Sequence, residues 1–324
     1  MASDPSRILI TGADGFVGRW LVTALREKCP TAHIVGTGLV ARRIDGLPVV
    51  ALDLCDAGQI DAVIAAERPD VVVHLAAVSN VADANSDVEA TMQVNVLGTL
   101  RLAKALLKYA PDARFIYVSS SDVYGSSFAR WPVPLDEDAP LAPTNNYAVT
   151  KAAADLLVGQ MSASEGLRAI RLRPFNHTGP GQDIRFVIPS FARQIAEMEA
   201  GRRPATLSVG NLEGFREFLD VRDVVRGYVD VISADDHLFD GRILNLSSGQ
   251  PHKVRAVLEN IIALARVRVE IEIDPARYRP EQDRFVGGNA QRAFAAIGWR
   301  PEIPLDDTLL AVLDAQRAAV DESR

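Results

Sequence analysis

The sequence predicts an α/β protein with a doubly wound parallel sheet and a smaller C-terminal α/β lobe. Through the first half, short apolar segments alternate with longer segments whose apolar residues recur at helical spacing. The segment 71–75 is β-branched and apolar enough to form a strand buried on both faces. A repeated β-α-β order of this kind is typical of parallel sheets covered by helices.

The predicted elements follow in chain order. Strands are predicted at residues 7–11, 33–37, 49–52, 71–75, 115–118, 167–172 and 242–246. Helices are predicted at residues 16–28, 60–66, 97–109, 186–199, 221–232, 254–265 and 305–319. The alternation loosens after Arg173, and residues 175–181, which contain Gly179, Pro180 and Gly181, are predicted to form a loop. We therefore expect a first domain over 1–174, joined by about 219–250, and a C-terminal lobe over 175–324 interleaved with it.

Composition and charge exclude several classes of protein. The chain has 324 residues, 48% hydrophobic and 24% charged, which suits a globular protein with a large core. Its 35 Lys and Arg against 42 Asp and Glu leave a net charge of −7, which argues against nucleic-acid binding. The two cysteines, Cys29 and Cys55, have no metal-ligand spacing, so neither a disulfide framework nor a metal site is expected. Residues 1–10 lack the apolar run of a signal peptide and no stretch suits a membrane span, so a cytoplasmic protein is expected.

A glycine-rich segment connects the first predicted strand to the first predicted helix. Gly12, Gly15 and Gly18 have the spacing Gly-x-x-Gly-x-x-Gly. Gly12 would permit a tight turn, Gly15 would let the backbone approach a pyrophosphate, and Gly18 would let the helix pack on the sheet. The alternative is a tight turn without a ligand. The position between a strand and a helix favours binding of a dinucleotide by a Rossmann sheet.

The residues after the second strand bear on which dinucleotide is bound. NAD-selective sites place an Asp or Glu there, which binds the ribose 2′-hydroxyl. This chain has no acidic residue at that point, and Arg42 and Arg43 follow shortly after. Guanidinium groups suit a 2′-phosphate. We therefore expect NADP, with NAD as the alternative, unless the two arginines are only a solvated surface pair.

Tyr147 and Lys151 are four residues apart, which places them on one face of a helix. The ordinary tyrosine pKa of about 10 is too high for a base at neutral pH, and a nearby ammonium is expected to lower it. The serine-rich segment 119–121 follows a predicted strand, where a hydroxyl can hydrogen-bond a substrate carbonyl or alkoxide. The serines alone could merely cap the strand, but the three features together predict catalysis.

On these motifs the sequence resembles the extended short-chain dehydrogenase/reductase family, nearly from end to end. The matching segments are TGADGFVG at 11–18, Asp53-Leu54, LAA at 75–77, NVLGT at 95–99, SSSDVYG at 119–125, YAVTK at 147–151 and RPFN at 173–176. The resemblance implies that Tyr147 is the acid/base, that Lys151 is its partner and holds the nicotinamide ribose, and that Ser120 is the catalytic hydroxyl. It also implies that these residues bind the cofactor: Gly12, Gly15, Phe16, Val17, Gly18, Asp53, Leu54, Leu75, Ala76, Ala77, Asn95, Tyr147, Lys151 and Pro174.

The C-terminal half resembles the branch of that family that acts on nucleotide sugars, in particular those derived from GDP-mannose. The resemblance implies that the substrate is bound by Ser79, Asn176, Ile188, Arg193, Arg216, Arg279 and Glu281. Arginine forks suit diphosphate oxygens and a carboxylate suits ribose hydroxyls, although each arginine could also be a surface charge. The family usually has Arg-Asp where this chain has Arg216-Glu217, which leaves the role of Arg216 open.

The residue two positions after Ser120 separates the reactions of related enzymes. By the resemblance, sugar 4,6-dehydratases have Glu there to remove the C5 proton, and the fucose-forming epimerase–reductase has Cys. This chain has Asp122, a shorter carboxylate, which we include among the candidate catalytic residues. The pattern looks more like a 4-keto reductase. The expected reaction is NAD(P)H-dependent reduction of the C4 ketone of a GDP-4-keto-6-deoxy-hexose to GDP-rhamnose or a GDP-deoxytalose.

Two alternatives stay open. One is a nucleotide-sugar 4-epimerase or 4,6-dehydratase with tightly bound NAD. The other is a non-catalytic nucleotide-binding protein, against which the presence of both Tyr147 and Lys151 argues. By the resemblance we also expect a homodimer, formed by the 97–109 helix and the helix that carries Tyr147. The nucleotide base and the configuration at C4 of the product are not predicted.

Overall fold

A computed structural model describes residues 5–44, 46–131, 134–277 and 285–322. Its strands are β1 (Arg7–Thr11), β2 (His33–Gly38), β3 (Arg42–Ile44), β4 (Leu47–Ala51), β5 (Val71–His74), β6 (Arg114–Val118), β7 (Ala169–Pro174), β8 (His177–Thr178), β9 (Thr206–Val209), β10 (Phe215–Arg216), β11 (Leu219–Asp220), β12 (Asp240–Leu246), β13 (His252–Lys253) and β14 (Glu270–Ile273). Its α-helices are α1 (Phe16–Lys28), α2 (Ala57–Glu67), α3 (Val81–Ser86), α4 (Val88–Met92), α5 (Thr99–Tyr109), α6 (Ser127–Arg130), α7 (Asn146–Glu165), α8 (Val187–Glu199), α9 (Val221–Ile232), α10 (Val254–Ala263), α11 (Gln291–Ile297) and α12 (Leu305–Glu322). A π-helical turn spans Gln93–Gly98 and a 3₁₀ turn spans Ser121–Tyr124.

Eight strands form one sheet in the order β12-β7-β6-β5-β1-β2-β4-β3. Every neighbouring pair is parallel except β3 and β4, which are antiparallel. The chain first extends the sheet from β1 through β2 and β4, and then returns to the other side of β1 with β5. Such a reversal leaves a crevice at the carboxyl ends of β1 and β5, where doubly wound sheets bind ligands. The predicted doubly wound parallel sheet is confirmed.

Helices cover both faces of the large sheet. On one face α1 and α9 contribute to a core in which Leu21 and Tyr228 are fully buried. On the other face α2, α5 and α7 contribute to a second core, which includes Ile64. A third core, which includes Ile195 and Leu258, joins α8, α10 and α12 without any residue of the large sheet. The boundary at residue 174 between domain and lobe stays a prediction.

The structure differs from the predicted elements where pairing is not local. Two-stranded sheets join β9 with β14, β10 with β13 and β8 with β11. The loop predicted at 175–181 is therefore wrong at its centre, because His177 and Thr178 pair with Leu219 and Asp220. Strand β7 begins two residues later than predicted, at Ala169, and the sequence does not predict the edge strand β3. Among the residues that the structure describes, no helix is long and apolar enough to span a membrane.

Candidate active site

The glycine-rich turn joins β1 to α1 and lies against the end of β5. Gly12 has a φ of +70°, and a Cβ there would lie 2.9 Å from the backbone nitrogen of Ala76, so glycine is required. Gly15 is exposed and precedes α1, whose N-terminus has no side-chain cap and no acidic residue in its first turn. The first residues of α1 are Phe16, Val17 and Gly18. The uncapped N–H groups and the close backbone approach form a cradle that fits a dinucleotide pyrophosphate.

A buried hydrogen-bond chain joins the carboxyl ends of β1 and β5. The Thr99 hydroxyl donates to the Asn95 carbonyl oxygen (2.7 Å) and therefore accepts from His74 Nε2 (3.0 Å). His74 Nδ1 accepts from the Thr11 hydroxyl (2.7 Å), which in turn accepts from the Ala76 N–H (3.2 Å). Burial lowers the pKa of His74 to about 3, so the ring is neutral at physiological pH. This series of hydrogen bonds holds the segment after β5 against the glycine-rich turn.

The Asn95 side chain ties the segment after β5 to α7. Its oxygen accepts from the Val78 N–H (2.8 Å), and its nitrogen donates to the Val78 carbonyl (3.1 Å) and to the Thr150 hydroxyl (2.9 Å). Asn95 thus positions the sheet edge through contacts within the protein, and its contact with a cofactor stays a prediction. Six further predicted cofactor residues follow β4 or β5 or end β7: Asp53, Leu54, Leu75, Ala76, Ala77 and Pro174.

Helix α7 carries the predicted Tyr–Lys pair. Asn145 caps the helix, because its side-chain oxygen accepts from the Ala148 N–H at 2.8 Å. Tyr147 and Lys151 lie in the first two turns and Asp155 lies one turn later. Since all three are spaced by four residues, one face of α7 carries a phenol, an ammonium and a carboxylate in a row.

The structure brings Tyr147 together with Ser120 and Asp122. The Ser120 hydroxyl accepts from the Asp122 N–H (3.1 Å) and also hydrogen-bonds Tyr147. Burial raises the pKa of Tyr147 above its ordinary value of 10; the charge of Asp122 adds to the rise, and the Ser120 hydrogen bond opposes it. The predicted lowering of the Tyr147 pKa by Lys151 is therefore wrong in this structure. Tyr147 holds its proton at neutral pH and can act as a proton donor.

Lys151 is buried and directed to the end of β6. Its Nζ donates to the Val118 carbonyl oxygen and lies 4.6 Å from the centre of the Tyr117 ring. Burial lowers the pKa of Lys151 to about 7, and the carboxylate of Asp155 opposes that shift. Because these partners hold the ammonium, it does not lower the pKa of Tyr147 as predicted.

Asp155 is a site residue that the sequence analysis does not identify. It is fully buried and accepts from Arg173 Nε and Nη2, each at 2.9 Å, and from Arg171 Nη1 at 3.0 Å. Burial alone would raise the pKa of Asp155, but the two arginines lower it below its ordinary value. The pairs tie α7 to β7 and so set the positions of Tyr147 and Lys151. Two features of the sequence could have identified Asp155. The four-residue spacing of Tyr147 and Lys151 continues to Asp155, and two arginines alternate at the end of a predicted strand.

Arg216 lies at the end of β10, and its Nη1 donates to the Phe215 carbonyl oxygen at 2.8 Å. Burial raises the pKa of Asp122, and the charge of Arg216 opposes that rise. The next residue, Glu217, is fully buried, and its carboxylate accepts from the Ser248 N–H and the Gly288 N–H, each at 2.6 Å. Glu217 therefore anchors the strand that carries Arg216.

The remaining predicted substrate residues are spread over several elements. Three of them lie after β5, after β7 and in α8, respectively: Ser79, Asn176 and Ile188. Arg193 pairs with Glu197 on α8 at 2.8 Å, so its guanidinium is engaged within its own helix. Arg279 and Glu281 lie outside the described residues. Among the predicted arginines in the described part of the lobe, Arg216 acts electrostatically on Asp122.

The two arginines predicted to bind a 2′-phosphate have different partners. Arg42 forms an ion pair with Asp14 of the glycine-rich turn. Arg43 instead donates to the Gly46 carbonyl oxygen at 2.8 Å. Asp14 is thus a second residue not expected from the sequence, because an acidic residue was expected only at the end of β2.

The fold and this site define an NAD(P)-dependent enzyme of the extended short-chain dehydrogenase/reductase class. A Rossmann sheet carries a glycine-rich turn and a Ser-Tyr-Lys group at its carboxyl edge. A family model described as GDP-mannose 4,6 dehydratase matches residues 9–311, and the chain belongs to that family. The resemblance drawn from the sequence motifs is confirmed.

Individual relatives match the whole chain. It is 40% identical over 318 residues to GDP-6-deoxy-D-mannose reductase of Pseudomonas aeruginosa, which covers 98% of this chain and 99% of that protein. The structure of RMD from Pseudomonas aeruginosa complexed with NADPH is similar with a TM-score of 0.84 and 37% identity, over 97% of this chain and 99% of that one. A UDP-glucose 4-epimerase from Thermus thermophilus, solved with NAD, matches with a TM-score of 0.83 and 26% identity, over 97% and 99% of the two chains.

Proposed function

We propose that this protein is an NAD(P)H-dependent reductase that converts a GDP-4-keto-6-deoxy-hexose to a GDP-6-deoxyhexose, either GDP-rhamnose or its C4 epimer. The observation that carries the proposal is the placement of Ser120, Tyr147 and Lys151 together at the carboxyl edge of the Rossmann sheet. The whole-length similarity to a protein named as a GDP-6-deoxy-D-mannose reductase supports the substrate class. The NADPH in a similar solved structure supports the cofactor.

The residues present fit a nicotinamide dinucleotide. The glycine-rich turn and the uncapped start of α1 would hold its pyrophosphate. Arg42 would hold a 2′-phosphate, and Lys151 the nicotinamide ribose. When bound, the reduced nicotinamide supplies the hydrogen and the electron pair that C4 of the sugar gains.

The protein's own residues supply the proton and align the ketone. Tyr147 donates its phenolic proton to O4, so that the C4 carbonyl becomes an alcohol. Ser120, already hydrogen-bonded to Tyr147, donates to the same oxygen as negative charge develops on it. The phenolate left on Tyr147, which the Ser120 hydrogen bond stabilises, regains a proton from solvent.

The test is oxidation of NADPH and of NADH, run in parallel, with enzymatically prepared GDP-4-keto-6-deoxy-mannose. The UDP and dTDP counterparts are the matched controls. We expect one equivalent of cofactor oxidised per GDP sugar and much slower oxidation with the other two sugars. Failure to oxidise cofactor with any keto sugar, together with NAD retained through purification, would replace the reductase by the epimerase or dehydratase alternative. Cofactor binding with no turnover of any sugar would favour the non-catalytic alternative.

We also infer a homodimer that pairs α5 and α7 with their copies. Leu156 and Val149, seven residues apart on one face of α7, are 59% and 37% exposed, so this face offers apolar surface to a partner. A Leu156→Arg variant should sediment as a monomer. The control is Leu310→Arg, at an exposed leucine of α12, which should leave the dimer intact. A wild-type monomer at micromolar concentration would contradict the inference. The cytoplasmic location stays a prediction.

A further inference from the structure

The imidazole of His177, at the start of β8, has a fixed tautomer. Its Nδ1 lies 2.9 Å from the carbonyl oxygen of Phe175, and because a carbonyl only accepts, Nδ1 carries the proton and donates. Burial lowers the pKa of His177, so the ring is neutral at physiological pH and Nε2 is an acceptor. Among the residues that the structure describes, no group hydrogen-bonds Nε2. His177 therefore offers an acceptor of fixed position to a ligand.

The ring of His177 borders the crevice at the carboxyl edge of the large sheet. It stacks on the ring of Phe16, with the two planes 10° apart and the ring centres separated by 6.3 Å. Phe16 is the first residue of α1, at the cradle that fits a pyrophosphate. Strand β7, which leads to His177, pairs with β6, which leads to Ser120. The partly exposed His177 side chain thus reaches from the side of the catalytic hydroxyl to the pyrophosphate cradle.

A nicotinamide ring has to occupy the interval that His177 borders. With the pyrophosphate at the start of α1, the ring must lie beside Tyr147 and Ser120 to transfer a hydride to a ketone held there. The N–H donors of a nicotinamide belong to its carboxamide. A neutral acceptor such as Nε2 matches a carboxamide N–H, and it does not attract a phosphate as a protonated imidazole would.

We propose that His177 Nε2 accepts a hydrogen bond from the nicotinamide carboxamide and so fixes the rotation of the nicotinamide about its bond to the ribose. The inference rests on the proposed function, because it assigns a residue to the cofactor of that reaction. The hydrogen bond from Nδ1 to the Phe175 carbonyl holds the imidazole, so the acceptor is in place before the cofactor binds. A nicotinamide held in this way presents one of its faces to the sugar.

The test compares two cofactors by isothermal titration calorimetry, without any sugar. NADP⁺ has the carboxamide, whereas its 3-acetylpyridine analogue has a methyl ketone of similar size that cannot donate a hydrogen bond. The wild type should bind NADP⁺ about tenfold more tightly than the analogue, because the analogue leaves Nε2 without a partner.

Three variants assign this preference to Nε2. His177→Phe keeps an aromatic ring against Phe16 and removes the acceptor. It should weaken NADP⁺ binding by about tenfold and bind the analogue within about twofold of the wild type. His177→Gln places an amide oxygen near the position of Nε2 and should retain most of the preference for NADP⁺. His237→Phe is the control, since it makes the same change at an exposed histidine and should leave both dissociation constants unchanged.

The outcomes separate this contact from the proposed function. A wild type that binds the two cofactors equally would overturn the contact. So would a His177→Phe variant that weakens both cofactors to the same degree, because the loss would then come from packing on Phe16 or from a ribose hydroxyl. Either result leaves the reductase reaction intact. A wild type that binds neither NADP⁺ nor NAD⁺ would overturn the proposed function as well.

Discussion

Two aspartate–arginine pairs, one in the interior and one at the surface rim of the large sheet, differ in almost every physical respect. Asp155 and Arg173 are 0% and 2% exposed, form two hydrogen bonds of 2.9 Å and join α7 to β7. Asp14 and Arg42 are partly exposed at the rim and join the glycine-rich turn to β3. The buried pair is surrounded by protein groups, whereas the rim pair is in contact with solvent.

The difference indicates a division of roles between the interior and the rim. A buried ion pair is expensive to break, because removal of one partner leaves a charge without solvation. A solvent-exposed pair contributes little to stability, so its members can change partners when a ligand arrives. The interior pair is therefore suited to holding the catalytic face of α7 rigid, and the rim pair to recognising a cofactor. Each prediction below tests one side of this division.

The largest expected effect is on the rate, at the catalytic face of α7. Tyr147→Phe removes the proton donor and should lower kcat by about 10³-fold, within the range measured for general acids. The dissociation constants for both cofactors should change little, because phenylalanine keeps the ring of Tyr147 and removes only its hydroxyl. Tyr109→Phe, which removes a hydroxyl from α5 that donates to Asp61, is the matched control and should leave kcat unchanged. Near-normal turnover by Tyr147→Phe would remove Tyr147 from the mechanism.

The second effect is on stability, at the interior pair. Asp155→Asn leaves the guanidiniums of Arg171 and Arg173 without their carboxylate and should lower the free energy of unfolding by about 3–5 kcal/mol. Urea denaturation measures this loss. The control is Asp83→Asn at the exposed pair of Asp83 with Arg185, where the same chemical change should cost less than about 1 kcal/mol. Equal losses in the two variants would contradict the division between interior and surface pairs.

The third effect is on the pH dependence of stability, at the buried chain between β1 and β5. The folded-state pKa of His74 is about 3, against an ordinary value of 6.5, so the unfolded chain binds a proton that the folded chain excludes. The stability contributed by neutral His74 is complete above pH 6.5 and is lost as the pH falls toward 3. Between pH 7 and pH 5 this linkage amounts to about 2 kcal/mol.

His74→Gln isolates this contribution, because glutamine cannot titrate but can still donate and accept. The wild type should lose about 2 kcal/mol more than His74→Gln between pH 7 and pH 5, measured by urea denaturation at both pH values. Parallel losses in the two proteins would show that His74 carries its proton in the folded state.

Features that depend on residues close together in the chain could be predicted from the sequence, and features that depend on distant segments could not. The glycine-rich turn and the Tyr147–Lys151 pair are set by residues within one or two helical turns of each other. The structure has the predicted turn before α1 and the predicted pair on α7. The doubly wound parallel sheet followed from the β-α-β alternation. The pairing of β8 with β11 joins short segments far apart in the chain and leaves no periodic signal.

The two aspartates missed by the sequence analysis act through contacts of the same non-local kind. Asp14 reaches the end of β2 because the turn that carries it folds back over Gly38. Asp155 meets Arg173 because α7 packs across β7. The predicted direction of the Tyr147 pKa shift was wrong for a related reason. The shift depends on burial and on the charge of Asp122, and both are properties of the packed structure.

The smallest expected effect is on stability at the rim. Arg42→Gln removes one member of the Asp14–Arg42 pair and should lower the free energy of unfolding by less than about 1 kcal/mol, because solvent replaces the lost partner of Asp14. Thermal unfolding of Arg42→Gln and of Asp155→Asn under the same conditions makes the comparison direct. A loss of about 3 kcal/mol at Arg42 would show that the pair is a structural element of the fold. Arg42 would then not be available to bind a 2′-phosphate. Breaking the pair would cost more free energy than a single charge-assisted hydrogen bond to the ligand contributes.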